Sequence, residues 1–352
     1  MIKRLFRWVS VLGAMSLLAA CAAPATTPAA TTGATSQPPA KLILGAYTTP
    51  REAYGQLLPL FAEQWKAQTG QVVTFEESYL GSGAQSRAIV EGFEADIAAL
   101  SLEADIQRIV KAGLITGDWH ALPHNGMVST SVVVFGVRAG NPKNIRDWAD
   151  LAQPGLEVLT PNPASSGGAM WNILALYGAA LRGQVADVPA NDEAAATAFL
   201  QAVLKNVTVM DKGARESITN YEKGVGDVII TYENEIMVGR QNGQDYEAVY
   251  PSSTILIENP VAIVDAHVDK HGTRAVAEAF VQFLFTQEAQ TIFAQYGLRS
   301  PDSAVAAATA AQYPPLADLF TITDQFGGWE AATPKYFGEQ GIYTQAIIAI
   351  QQ

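Results

Sequence analysis

The sequence predicts an α/β protein of two lobes, and three observations carry that expectation. One local theme recurs along the chain: a short apolar strand, a small-residue turn, then an amphipathic helix. The body from Lys41 to Gln352 is too long for one small core. Two longer β-branched runs, Ser129–Arg138 and Ser252–Asp265, stand apart from the theme. As crossing strands they divide the body into a discontinuous lobe, 41–130 plus 266–352, and a continuous lobe, 131–265. Two lobes joined by two strands can hinge and close around a ligand.

The elements follow in order. Lys41–Tyr47 reads as a strand, Thr48-Thr49 as a cap and Pro50 as the first helical turn, after which Tyr54, Leu57, Leu58, Phe61 and Trp65 share a helical face. Gln71–Tyr79 is the next strand, followed by Gly81-Ser82-Gly83 and a helix from about Ala84. Glu157–Thr160 leads through Pro161-Asn-Pro163 to Ser165-Ser166-Gly167-Gly168, and then Met170, Ile173, Leu174, Tyr177 and Leu181 share a face. Val207–Met210 leads to Asp211-Lys-Gly-Ala214 and a helix from about Arg215, and Asp227–Thr231 leads to Tyr232-Glu-Asn-Glu235. In α/β proteins ligands sit beyond the carboxyl ends of strands, at such helix starts.

The N-terminus reads as an export signal. Met1-Ile-Lys-Arg-Leu-Phe-Arg7 is basic, Trp8–Ala20 is apolar but too short for a stable membrane anchor, and the run ends Leu18-Ala-Ala-Cys21. That ending resembles the lipobox of bacterial lipoproteins, which implies cleavage after 1–20 and a lipid on Cys21. Cys21 is the only cysteine, so no intramolecular disulfide can form. Residues 21–40, mostly Ala, Thr, Pro, Ser and Gly, cannot bury enough apolar surface to fold and read as a tether. Ala22 carries no inner-membrane retention signal of the Asp type, so the periplasm and the outer face of the cell membrane both stay open as the location.

The net charge of −12 becomes −15 without Lys3, Arg4 and Arg7 of the signal, which excludes nucleic acid and an anionic membrane surface as partners. An anionic ligand is therefore not drawn by the global field; local dipoles must hold it. Catalytic patterns are missing: no Gly-x-Ser-x-Gly elbow, P-loop or dinucleotide fingerprint occurs. Of the four histidines, His120 and His124 straddle Pro123, while His267 and His271 share a helical spacing without the glutamate of a zincin and read as solvent-facing. No metal or other cofactor is expected. The acidic pairs, Glu76-Glu77 and Glu233 with Glu235, read as solvated faces or caps. A nucleophilic role for Ser82 or Ser166 lacks a base in any recognisable motif. The remaining signal is the set of Ser-, Gly- and Ala-rich turns opening helices. The first N–H groups of a helix lack intrahelical partners, so several converging ends form an anion site without cationic side chains.

Ser78-Tyr-Leu-Gly-Ser-Gly83, Thr160-Pro-Asn-Pro-Ala-Ser-Ser-Gly-Gly-Ala-Met-Trp171, Gly213-Ala-Arg215 and Tyr232-Glu-Asn-Glu235 together resemble the sulfate-binding protein family of ABC importers. Gly140-Asn-Pro-Lys-Asn-Ile-Arg-Asp-Trp148 and Phe326-Gly-Gly-Trp329 look like further landmarks, and the likeness spans Leu42 to Tyr343. It implies a two-lobed periplasmic-binding-protein-like fold of type II, with two hinge crossovers. It also implies a monomeric receptor that binds dehydrated sulfate or thiosulfate through neutral donors and delivers it to a permease. Ser82 matches a serine donating through backbone and hydroxyl, Ser166, Gly167 and Gly168 match the Ser-Gly-Gly donors, and Ala214 matches a backbone donor. Two positions depart from the pattern. Thr48 stands where the family has Asp, in Tyr47-Thr-Thr-Pro-Arg-Glu52, and only its N–H is needed; Tyr232 replaces an indole donor by a hydroxyl that can also accept. A donor-only pocket suits unprotonated sulfate over hydrogen phosphate, yet molybdate, tungstate or phosphate stays open as the alternative ligand. Arg51, Arg87 and Arg215 lie just inside the helices concerned, read either as charges behind the site or as surface ion pairs. A sensor or structural envelope lipoprotein is the remaining alternative.

Overall fold

The computed structural model describes residues 38–352. The strands are β1 (Ala40–Tyr47), β2 (Val73–Leu80), β3 (Ile97–Ala99), β4 (Met127–Val137), β5 (Val158–Pro161), β6 (Val207–Asp211), β7 (Val228–Tyr232), β8 (Glu247–Val249), β9 (Ser253–Ile263) and β10 (Asp318–Phe320). The first seven α-helices are α1 (Arg51–Thr69), α2 (Ser82–Val90), α3 (Glu103–Lys111), α4 (Gly167–Leu181), α5 (Glu193–Lys205), α6 (Ala214–Glu222) and α7 (Glu233–Gln241). The rest are α8 (Asp265–His271), α9 (Arg274–Leu284), α10 (Gln287–Gln295), α11 (Ser303–Thr309), α12 (Ile322–Phe326), α13 (Trp329–Ala332) and α14 (Ile342–Ile350). Cys21 and the signal lie outside the described residues. β1 opens at Ala40, so the folded body begins one residue inside the segment read as a tether.

The strands run in the order β2-β1-β3-β9-β4-β7-β5-β6, with β10 on β9 and β8 on β4. Pairing is parallel within β2-β1-β3 and within β7-β5-β6, as strand–helix–strand repeats require. The two long strands meet antiparallel at the centre, Ser131 opposite Ile257 and Val132 opposite Leu256. Each then leaves the other at one end. Residues 261–263 of β9 pair with β3, and residues 133–137 of β4 pair with β7. These are the two crossing runs, and the start of each lies within two residues of its sequence-read bound.

Side chains alternate between two covered faces. Leu42, Leu44 and Ile97 join Leu57, Phe61 and Phe280 in one core, while Ala98 and Ala262 join Ile89, Ile106 and Ile109 on the opposite face. In the other half, Val133, Phe135, Val228 and Ile230 pack with Trp148, Trp171 and Leu200, and Val132, Val134 and Ile229 face Ile218 and Tyr221. Burial on both faces explains why these strands read as apolar runs rather than alternations.

Two expectations change. The segment 266–352 does not stay with the first half throughout: Phe320, Phe326, Trp329, Tyr336 and Ala346 enter the core of β4, β7 and α4. Trp329 meets Trp171 edge-on at 4.7 Å, and the aromatic content of this tail supplies the apolar area that draws it across. Nor is α4 amphipathic; from Gly167 to Leu181 every residue but Met170 is buried, because α5, β9 and the C-terminal tail enclose it.

Candidate anion site

The five strand–turn–helix junctions named from the sequence converge, and a sixth, from β3 into α3, joins them. The start of α2 approaches two main-chain segments of the other half. A Cβ on Gly81 would lie 2.5 Å from the Ser165 carbonyl oxygen and 2.7 Å from that of Lys212, so only glycine permits this approach. Ala84 N donates to Ser165 O at 3.1 Å, and Arg87 Nη2 donates to Ala164 O at 2.9 Å. Gly81, the 162–167 loop and the turn before Ala214 therefore touch one another.

At the start of α4, Ser166 is the N-cap; its Oγ accepts from Ala169 N at 3.3 Å, which leaves the hydroxyl hydrogen free to donate outward. Gly167 and Gly168 follow in close quarters. Added Cβ atoms would fall 2.7 Å from Ser101 Oγ and 2.7 Å from Tyr232 Cε2 respectively. Tyr232 ends β7, and its Oη lies 2.6 Å from Ser101 Oγ. Ala214 opens α6 behind an extended Gly213. Thr48 is buried between Tyr47, whose ring centroid is 6.3 Å from that of Tyr232, and Thr49, whose carbonyl accepts Arg215 Nη2 at 3.4 Å. Neither threonine caps α1 through its side chain; Pro50 holds the N-cap position. All seven residues named from the sequence are thus buried in one neighbourhood spanning the two halves.

Ser82 differs in role from its expectation. Its hydroxyl donates to Asp105 Oδ2 at 2.6 Å and accepts from Ser101 N at 2.9 Å, so its hydrogen is already committed and the main-chain N–H is the group left to face a ligand. Asp105, buried at the start of α3, also receives Arg108 Nη1 at 2.6 Å. Ser101, Asp105 and Asn259 escape the sequence reading. Ser101 O accepts from both Trp171 Nε1 and Asn259 Nδ2 at 2.9 Å. Ser101 does follow the recurrent theme, since Ile97–Ala99 runs into Ser101-Leu102 and α3, but a three-residue strand is too short to register as a period.

The charges around the site are paired. Arg215 on α6 bonds Glu52 of α1, with Nη2 2.9 Å from Oε2, and its Nε lies 3.0 Å from Glu235 Oε2. Burial opposes the charged form of Glu52, but the Arg215 guanidinium outweighs it and holds the carboxyl below its ordinary value. Burial dominates at Glu235 and raises its carboxyl, with Arg215 opposing. Arg299 Nε lies 2.6 Å from Glu233 Oε2. Glu233 and Glu235 are therefore buried arginine partners in the first turn of α7 and not a solvated face. Glu76 and Glu77 do remain exposed. Arg51 lies 4.6 Å from the Tyr79 ring centroid, so of the three arginines Arg87 and Arg215 bridge the halves and Arg51 does not.

His267 is buried against Ala95 O, where solvent exposure was expected, and His271 binds Asp96 and Glu94. Among the described residues no cluster of three or more His, Cys, Asp or Glu is disposed to hold a metal, and no helix is long and apolar enough to cross a membrane. The convergent groups are main-chain N–H groups at helix starts and neutral hydroxyls, an arrangement suited to a small dehydrated oxyanion.

Comparison with known proteins finds relatives over most of the chain. The family described as bacterial extracellular solute-binding protein matches residues 43–299. The sulfate-binding protein of Synechococcus elongatus is 43% identical over 314 residues, 89% of this chain and 88% of that relative. The thiosulfate-binding protein of Pseudomonas aeruginosa is 36% identical over 85% of this chain and 90% of its own. Among solved structures, the sulfate-binding protein SubI from Mycobacterium tuberculosis has a TM-score of 0.77 at 39% identity, covering 85% of this chain and 99% of that one.

Proposed function

The chain belongs to the bacterial extracellular solute-binding proteins, and from that premise we propose that it binds sulfate or thiosulfate between its two halves and delivers it to an ABC permease. The observation that carries this reading is the convergence of Ser82, Ser166, Gly167, Gly168, Ala214 and Tyr232 at helix starts from both halves. Burying a dianion without partners costs far more than a fold's stability, and aimed donors at helix ends replace its water. The N–H groups of Thr48, Ser82, Gly167, Gly168 and Ala214 and the hydroxyls of Ser166 and Tyr232 supply those donors. Hinging about β4 and β9 opens the cleft, since among the described residues these strands alone run through both halves of the sheet. The Leu18-Ala-Ala-Cys21 pattern supports export and a lipid on Cys21, which tethers a monomeric receptor beside its permease.

A thermal-shift panel of sulfate, thiosulfate, molybdate and phosphate tests the ligand, because a molecule binding only the folded state raises the melting temperature. Sulfate or thiosulfate is expected to give the largest rise. A larger response to phosphate or molybdate, confirmed by tighter binding in titration calorimetry at neutral pH, sinks this assignment.

A further inference from the structure

Ser101 Oγ and Tyr232 Oη lie 2.6 Å apart, close enough that one hydroxyl must donate to the other. Both residues are buried, with 1% of their surface exposed. Two hydroxyls carry two hydrogens, and one is spent between them. The pair therefore keeps one hydrogen to donate and lone pairs to accept, and reversing the internal bond exchanges which oxygen offers which. The main chain of Ser101 is held separately, through Ser82 Oγ on its N–H and through Trp171 and Asn259 on its carbonyl. Its side chain is thus positioned while its hydroxyl rotor stays free to turn. The pair sits against the opening of α4, with Ser101 Oγ over Gly167 and the Tyr232 ring edge over Gly168. The other groups are set as donors: Ser82 gives its hydrogen to Asp105 and offers only its N–H, Ser166 Oγ already accepts from Ala169 N and has its hydrogen to donate outward, and main-chain N–H groups can only donate.

We propose that the Ser101–Tyr232 pair is a reversible donor–acceptor element that sets ligand specificity, letting the site receive a tetrahedral dianion that still carries a proton, such as monohydrogen phosphate or arsenate. The inference rests on the oxyanion-binding reading above. Sulfate remains the tighter ligand, because every other group is a donor. A buried ligand O–H facing donors alone is rejected about ten- to a hundredfold, and a hydroxyl pair that turns to accept removes that rejection.

The test compares two ligands that differ in the proton. Monofluorophosphate is a tetrahedral dianion with fluorine in place of the hydroxyl of monohydrogen phosphate. In titration calorimetry of the full chain in mildly alkaline buffer, monohydrogen phosphate is expected to bind at least as tightly as monofluorophosphate. The variant Ser101→Ala/Tyr232→Phe, which also loses the Tyr232 donor to sulfate, is expected to reverse that order by about tenfold or more. A wild-type preference for monofluorophosphate of about tenfold or more, or an unchanged order in the double variant, overturns the inference. The wild-type comparison decides alone if the variant does not fold. Failure of the wild type to bind either sulfate or thiosulfate overturns the functional reading and this inference with it, whereas binding of either with a preference for monofluorophosphate over monohydrogen phosphate overturns this inference alone.

Discussion

The hydroxyl of Ser82 links two buried groups, because it donates to Asp105 and accepts from Ser101 N, which leaves its own N–H as the group proposed to face the ligand. Ser82→Ala strands a carboxylate oxygen and an amide hydrogen away from water. That costs about 1–3 kcal/mol, or a fall of several degrees in melting temperature for a domain of this size. Sulfate affinity is expected to fall much less, since the N–H remains. Thermal denaturation and titration of the same variant separate the two effects, and an unchanged melting temperature with lost binding would return the hydroxyl to the ligand. The isolated motif could not make this distinction, since Asp105 lies 23 residues away in sequence.

Between elements, the contact that matters is α2 against the loops before α4 and α6. A Cβ on Gly81 meets two carbonyl oxygens of the main chain, which no rotamer change can relieve, whereas one on Gly83 finds Ser165 O at 3.4 Å. Gly81→Ala is therefore expected to hold the halves apart and weaken ligand binding about tenfold or more, and Gly83→Ala to leave it within about threefold. Equal effects from the two substitutions would remove the close approach as a requirement. The junctions themselves were legible as strand, turn and helix start. Their mutual contact was not, because the 162–167 loop and Lys212 reach Gly81 from 80 to more than 130 residues downstream.

Across the molecule, His271 ties α8 to the chain entering β3. Its Nδ1 lies 2.8 Å from Asp96 Oδ1 and its Nε2 lies 3.0 Å from Glu94 Oε2, while Lys270 also bonds Glu94 and Thr273 also bonds Asp96. Partial burial disfavours the imidazolium, but the two carboxylates outweigh it and raise its pKa above the ordinary 6.5. The folded state holds this proton more tightly than the unfolded chain does. The stabilisation is thus complete below the ordinary value and is lost as pH rises through the raised one. A melting-temperature profile from mildly acidic to alkaline pH should decline through that window in the wild type and less so in His271→Gln. Parallel profiles would assign the decline to other groups.

Local pattern suffices for the α/β class, for the crossing strands β4 and β9 and for the serine- and glycine-rich helix starts, because apolar periodicity and turn chemistry act over a few residues. It fails for β3, whose three residues hold no period, and for α4, whose enclosure on all sides depends on Trp329 and its neighbours more than 140 residues further on. Glu233 and Glu235 looked solvated for the same reason: Arg299 and Arg215, which permit their burial, are remote or on another helix. Which residues could donate was written locally. Which hydrogens stay free was decided by tertiary contacts alone, since a hydroxyl's partner is fixed by what the fold brings to within 3 Å of it.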